Sequence, residues 1–79
     1  MDWKWTDHIE LQLIERKIPK ELAEEAISNP DRVITGKKDR KIYQKIISGK
    51  LVRVVTEGSS LITVYLTNKI KKYMEGDKG

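Results

Sequence analysis

From Asp7 onward apolar side chains recur at helical spacing, at Ile9, Leu11, Leu13, Ile14 and Ile18. The stripe is broad enough to predict a well-buried helix over residues 7–17. Its start is marked by Thr6 or Asp7, and Asp7 is followed three residues on by Glu10, a variant of the capping box. Pro19 disfavours helix at the residue before it and suits the first turn of the next helix. A second helix is expected over 20–28. Glu21, Glu24 and Glu25 favour its positive N-terminal end, and Leu22, Ala23, Ala26 and Ile27 form a narrow stripe whose alanines admit a close neighbour. Asn29-Pro30-Asp31 ends it with turn chemistry.

Beyond that turn the pattern becomes strand-like. Val33 and Ile34 suggest a short first strand, and Gly36-Lys37-Lys38-Asp39 a polar turn. Three strands rich in β-branched residues follow at about 41–47, 51–56 and 61–66. A three-residue loop Ser48-Gly49-Lys50 would pair Ile47 with Leu51, Ile46 with Val52 and Lys45 with Arg53, with Gly49 supplying the left-handed conformation. A two-residue loop would place Arg53 beside Ile46 on the core face, where an unpaired charge is expensive, so the longer loop is expected. By the same logic Glu57-Gly58-Ser59 pairs Arg53 with Thr63 and Val54 with Ile62. The core face then reads Ile42, Ile46, Val52, Val54, Ile62, Val64 and Leu66, with Gln44 needing a partner or a bulge. The open face reads Tyr43, Lys45, Arg53, Thr63 and Tyr65, mixed with Ile47, Leu51, Val55 and Leu61. Thr67 or Asn68 caps a short C-terminal helix carrying Ile70, Tyr73 and Met74 at i, i+3, i+4, and residues 76–79 are expected to fray. The expected fold is α+β: two N-terminal helices packed on one face of an antiparallel three- to four-stranded meander sheet, with a short C-terminal helix. It forms a single domain whose ordered core spans about 6–74.

Composition narrows the function classes. A chain of 79 residues buries only roughly 60–65% of its unfolded surface, enough for one modest core and no enclosed cofactor cavity. There is no cysteine and one histidine, so no disulfide and no ordinary metal site is expected, and no cofactor. No apolar run reaches membrane-spanning length and the N-terminus lacks a signal-like stretch, which points to a cytoplasmic protein without a membrane partner. The charge is unevenly spread. Residues 1–31 carry four basic and eight acidic side chains, residues 32–79 twelve and four. Acidic helices joined to a basic sheet either steer a polyanion to one side or simply attract each other.

The open sheet face is the main candidate for chemistry. Lys45 and Arg53 opposite one another would repel unless an anion lay between them. Tyr43 and Tyr65 beside them suit base stacking on single-stranded nucleic acid. Arg40, Thr63 and Lys69 complete the candidate RNA-binding set. An ordinary solvated face of strand-forming residues explains the same pattern equally well, and cover by a partner or by the C-terminal helix is a third reading. His8, at a helix N-terminus, is a candidate base, against the commoner role of a surface histidine. Lys69, Lys71 and Lys72 suit phosphate contact or a solvated helix face. Trp3 and Trp5 suit an extra edge strand or a hydrophobic lid.

The run His8-Ile9-Glu10-Leu11-Gln12-Leu13-Ile14-Glu15-Arg16-Lys17-Ile18, with Asn29-Pro30-Asp31, Ile42-Tyr43, Leu51-Val52-Arg53-Val54-Val55 and Ile62-Thr63-Val64-Tyr65, resembles a prokaryotic family known as domain-of-unknown-function family 4258. The likeness covers about residues 6–73. Gln12 stands where that family usually has arginine and Lys17 where it usually has glycine; if the arginine is functional, Gln12 weakens any activity. The family is in turn distantly similar to the RelE/ParE-type toxins, especially the BrnT-like branch. That resemblance implies a metal-independent ribonuclease or its degenerate relative, paired with an antitoxin-like protein. Arg53, Lys45 and Tyr65 would then hold the scissile phosphate and His8 would assist proton transfer. A non-catalytic RNA- or protein-binding module is the alternative.

Overall fold

The computed structural model describes residues 2–75, so the expected fraying of residues 76–79 lies outside the described residues. The order is α1 (Asp7–Glu15), α2 (Lys20–Ser28), β1 (Arg32–Thr35), β2 (Arg40–Ile47), β3 (Lys50–Glu57), β4 (Ser60–Thr67) and α3 (Ile70–Glu75). The strands form an antiparallel meander in the order β1-β2-β3-β4. The α+β arrangement is as expected. Among the described residues no helix is long and apolar enough to cross a membrane.

Local chemistry explains the helix ends. Thr6, rather than Asp7, caps α1 by accepting from the Ile9 N–H at 3.2 Å. The helix closes with a Schellman motif: Ile18 N–H reaches the Leu13 carbonyl and Lys17 N–H the Ile14 carbonyl. Lys17 sits left-handed at φ 57°, where a glycine would be relaxed. Pro19 stands at the N-cap of α2, where its missing N–H costs nothing and its carbonyl accepts from the Leu22 N–H at 3.0 Å.

α1 does not bury the stripe expected of it. Leu11 is 54% exposed and Ile14 73%, while Ile9, Gln12 and Leu13 face inward. The reason is the edge of the sheet. The Val64 N–H and carbonyl point outward from edge strand β4. Gln12 Oε1 accepts from that N–H at 2.6 Å, and Arg16 donates to that carbonyl at 2.8 Å. A polar side chain that satisfies edge backbone groups outranks apolar ones for the inward position. Nearer the start of β4, Lys4 forms a parallel bridge to Ser60, so the Trp3–Trp5 segment covers the edge as well.

The core lies between the helices and one sheet face. Ile9, Leu13, Ile18, Ala23, Ala26 and Ile27 meet Val52, Val54, Leu61 and Val64, with Tyr43, Ile47 and Leu66 at the margin. Two hairpin registers differ from expectation. The β2–β3 turn has two residues, Ser48 at φ 52° and Gly49 at φ 78°, the left-handed pair of a type I′ turn. Ile47 therefore pairs with Lys50, Lys45 with Val52 and Gln44 with Arg53. The strand is turned over: Tyr43 and Ile47 join the core, and Ile42, Gln44 and Ile46 take the other face. Expecting Ile42 and Ile46 to pack under the helices was the error; Ile46 is 43% exposed. The β3–β4 turn is also two residues long, with Glu57 paired to Ser60. Arg53 faces Tyr65 and Val54 faces Val64, with a bulge at Val55/Thr56 that leaves Ile62 unpaired and returns Leu61 to the core.

Candidate nucleic-acid interface

The face away from α1 and α2 has two halves. In one, Ile34, Ile42 and Val55 line a groove of about 660 Å³, together with Gly36, Lys37, Lys38, Arg40 and Glu57. The β1–β2 turn builds its rim. Lys38 and Asp39 are both left-handed, at φ 58° and 62°, and the Arg40 N–H bonds the Lys37 carbonyl at 3.1 Å. Three cations are thereby set around a short apolar floor. Arg40 is partly neutralised by Glu57 at 3.8 Å, an exposed pair worth little in water.

The other half lies under α3. Arg53 is only 6% exposed. One guanidinium nitrogen donates to the Tyr65 hydroxyl, and the guanidinium carbon lies 4.0 Å from the Tyr73 ring centre, a cation–π distance. Gln44, directly across from Arg53, is fully buried and donates to the Met74 sulfur at 3.4 Å. Arg32 donates to the Met74 carbonyl. Among the described residues Arg53 Nε and Gln44 Oε1 have no hydrogen-bond partner, and no described carboxylate of residues 2–74 lies within ion-pair distance of Arg53 or Arg32.

The structure thus distributes the sequence-derived candidates unevenly. Arg53 and Tyr65 are together. Lys45, expected opposite Arg53, is on the other side of the sheet, where its ammonium lies 3.6 Å from Asp31. Asp31 also accepts from the Ile46 N–H at 2.8 Å, so the pair fastens the α2–β1 turn to β2. Tyr43, expected to be open, packs edge-on against Trp3 with ring centres 5.5 Å apart. His8 is exposed on the first turn of α1, in the helical layer across the sheet from Arg53. Thr63 commits its hydroxyl to Gln12 at 2.7 Å. Arg40 stands on the groove rim, and Lys69 is exposed just before α3. The four residues proposed for catalysis are not gathered at one point.

Four participants escaped the sequence reading: Lys37 and Lys38 on the rim, and Arg32 and Gln44 under α3. Gln44 carried a signal, being a polar residue inside an apolar strand. The left-handed Lys38-Asp39 pair carried none, because neither residue is glycine.

The family model described as a domain of unknown function, DUF4258, matches residues 5–66. No curated protein and no solved structure matches the chain.

Proposed function

The chain belongs to the DUF4258 family, and we propose that it is a degenerate relative of the RelE-like toxins that binds single-stranded RNA on the open sheet face without cutting it. The observation that carries this reading is the groove itself: an apolar floor of Ile34, Ile42 and Val55 beneath Lys37, Lys38 and Arg40. Cations around an apolar floor suit a flexible polyanion with hydrophobic bases. The groove also opens on the face opposite the acidic helices, so the charge split of the chain steers an anion towards it. A binder rather than an enzyme is favoured by the dispersal of Lys45 and His8 to the other side of the sheet.

Titration of a labelled single-stranded RNA at several salt concentrations tests this. Binding should weaken steeply with salt. The variant Lys37→Ala/Lys38→Ala/Arg40→Ala should bind more weakly, with a log–log slope shallower by about 2, since each lost phosphate contact removes roughly 0.7. Salt-insensitive binding, no binding at low salt, or equal affinity of the triple variant would refute the reading. The ribonuclease alternative keeps one observation, the hydrogen-bonded Arg53–Tyr65 pair. Cleavage of the RNA in the presence of EDTA, lost in Arg53→Lys, would restore it, because the planar fork of arginine is what a transferring phosphate needs.

A further inference from the structure

We infer that α3 is a reversible cover over a second, deeper phosphate site built on Arg53, which a strand lying in the groove reaches by displacing Tyr73 and Met74. The inference rests on the RNA-binding reading and specifies how that face is gated.

Three observations carry it. First, the chemistry beneath α3 is mismatched. A guanidinium wants anionic oxygens, yet Arg53 meets a tyrosine hydroxyl and two aromatic rings, and its Nε is buried without a partner among the described residues. Gln44 gives its amide to a thioether, a weak acceptor, and its buried oxygen accepts nothing there. Arg32 is held by a neutral carbonyl at the end of the helix. Native interiors rarely leave such groups unmatched, and each one calls for an explanation. Second, the cover is slight. α3 has six residues, too few to be stable as a helix without packing, and the aromatic and thioether contacts of Tyr73 and Met74 are what lie over the polar pair. Third, the two sites are continuous. Ile42 lies two positions from Gln44 on β2, and Val55 two from Arg53 on β3, so floor and covered pair share one face. A phosphate entering from the groove in place of Tyr73 would meet the guanidinium that the Tyr73 ring now covers, with its Nε still without a partner.

A cover of this kind lowers apparent affinity by the fraction of molecules that are open. Removing it should raise affinity, and the gain should require Arg53. Binding of single-stranded RNA by the full chain is compared for wild type, Tyr73→Ala, Met74→Ala and Tyr73→Ala/Arg53→Gln, with circular dichroism verifying the fold. Tyr73→Ala and Met74→Ala should each bind roughly five- to tenfold more tightly, the lower range of coupling between two states, and the double variant should lose the gain. Amide exchange of residues 70–75 in wild type should accelerate when RNA is added. Unchanged or weaker binding by both single variants, a gain that persists without Arg53, or α3 amides indifferent to bound RNA would overturn the cover and leave groove binding standing. Failure of wild type and all variants to bind RNA would remove the RNA reading and the cover together.

Discussion

On the helix side of the sheet, Val52, Val54 and Val64 are at most 1% exposed and meet Ile9, Leu13, Ala23 and Ala26. On the opposite side, Gln44 and Arg53 are 0% and 6% exposed, beneath a helix of six residues. Burial is nearly the same; the chemistry is not. The first side gains from every methylene removed from water. The second side gains from its apolar contacts but also desolvates a guanidinium and an amide whose hydrogen bonds are incomplete. Equal burial therefore marks a stabilising core in one place and, in the other, a polar pair whose hydrogen bonds are incomplete, on which the proposed phosphate site draws.

The largest test of that contrast pairs one substitution from each side. Ile9→Ala empties a fully buried position and is expected to cost about 2–5 kcal/mol, a large part of the stability of so small a domain. Arg53→Met replaces a buried, under-satisfied charge with a shorter apolar chain and is expected to change stability by less than about 1 kcal/mol in either direction. Urea unfolding at fixed pH measures both. Comparable losses would mean that Arg53 is a structural anchor, and the distinction between the two sides would fall.

An intermediate effect is expected where helix meets sheet edge. The carbonyl oxygen of Gln12 serves both the Val64 N–H and the Thr63 hydroxyl. Gln12→Ala strands both donors and should cost about 1–3 kcal/mol, read from the urea midpoint. A loss of only a few tenths would show that water replaces the amide at this edge. A loss in the expected range would make Gln12 a fastening between α1 and the edge strand β4.

What the sequence disclosed, and what it hid, follows from the range of each signal. Proline, a capping hydroxyl and a left-handed residue mark the ends of α1 and α2, and those signals are local, so both were legible; α3 was expected after a Thr67 or Asn68 cap but starts at Ile70, with Thr67 accepting from the Lys69 N–H ahead of it. The alternating pattern identified three strands and placed Val52, Val54 and Val64 correctly against the helices. The facing of β2 was not legible, because Ile42, Ile46 and Ile47 can pack on either side and the turn length decides between them. Ser48 in a left-handed conformation is an uncommon choice, and no pattern of burial announces it. The assumption that a charge avoids burial then chose the wrong loop, since Arg53 is buried after all, under α3 rather than under α1 and α2. Of the candidate site, only the placing of Arg53 and Tyr65 on one sheet face was legible, and the pairing was not: Arg53 faces Tyr65, where Thr63 was expected. The rest of its composition was hidden, because one register step carried Lys45 and Tyr43 away and brought Gln44 in.

The smallest effect tests that register step directly. Lys45 lies 3.6 Å from Asp31, and its side chain is 17% exposed against 42% for the aspartate. An ion pair with one partner this wet is worth about 0–1 kcal/mol, and the Asp31 carboxylate keeps its bond to the Ile46 N–H when the lysine is gone. Lys45→Ala should therefore lower stability by at most about 1 kcal/mol. Its effect on RNA is the sharper measurement. With Lys45 on the helix side, Lys45→Ala should leave both the affinity and the salt slope for single-stranded RNA where wild type has them, whereas loss of the Lys37, Lys38 and Arg40 cations should not. A single lysine placed on the binding face would instead flatten the slope by roughly 0.7. A drop of that size in Lys45→Ala would put the lysine back beside Arg53 and the RNA on a face that includes both.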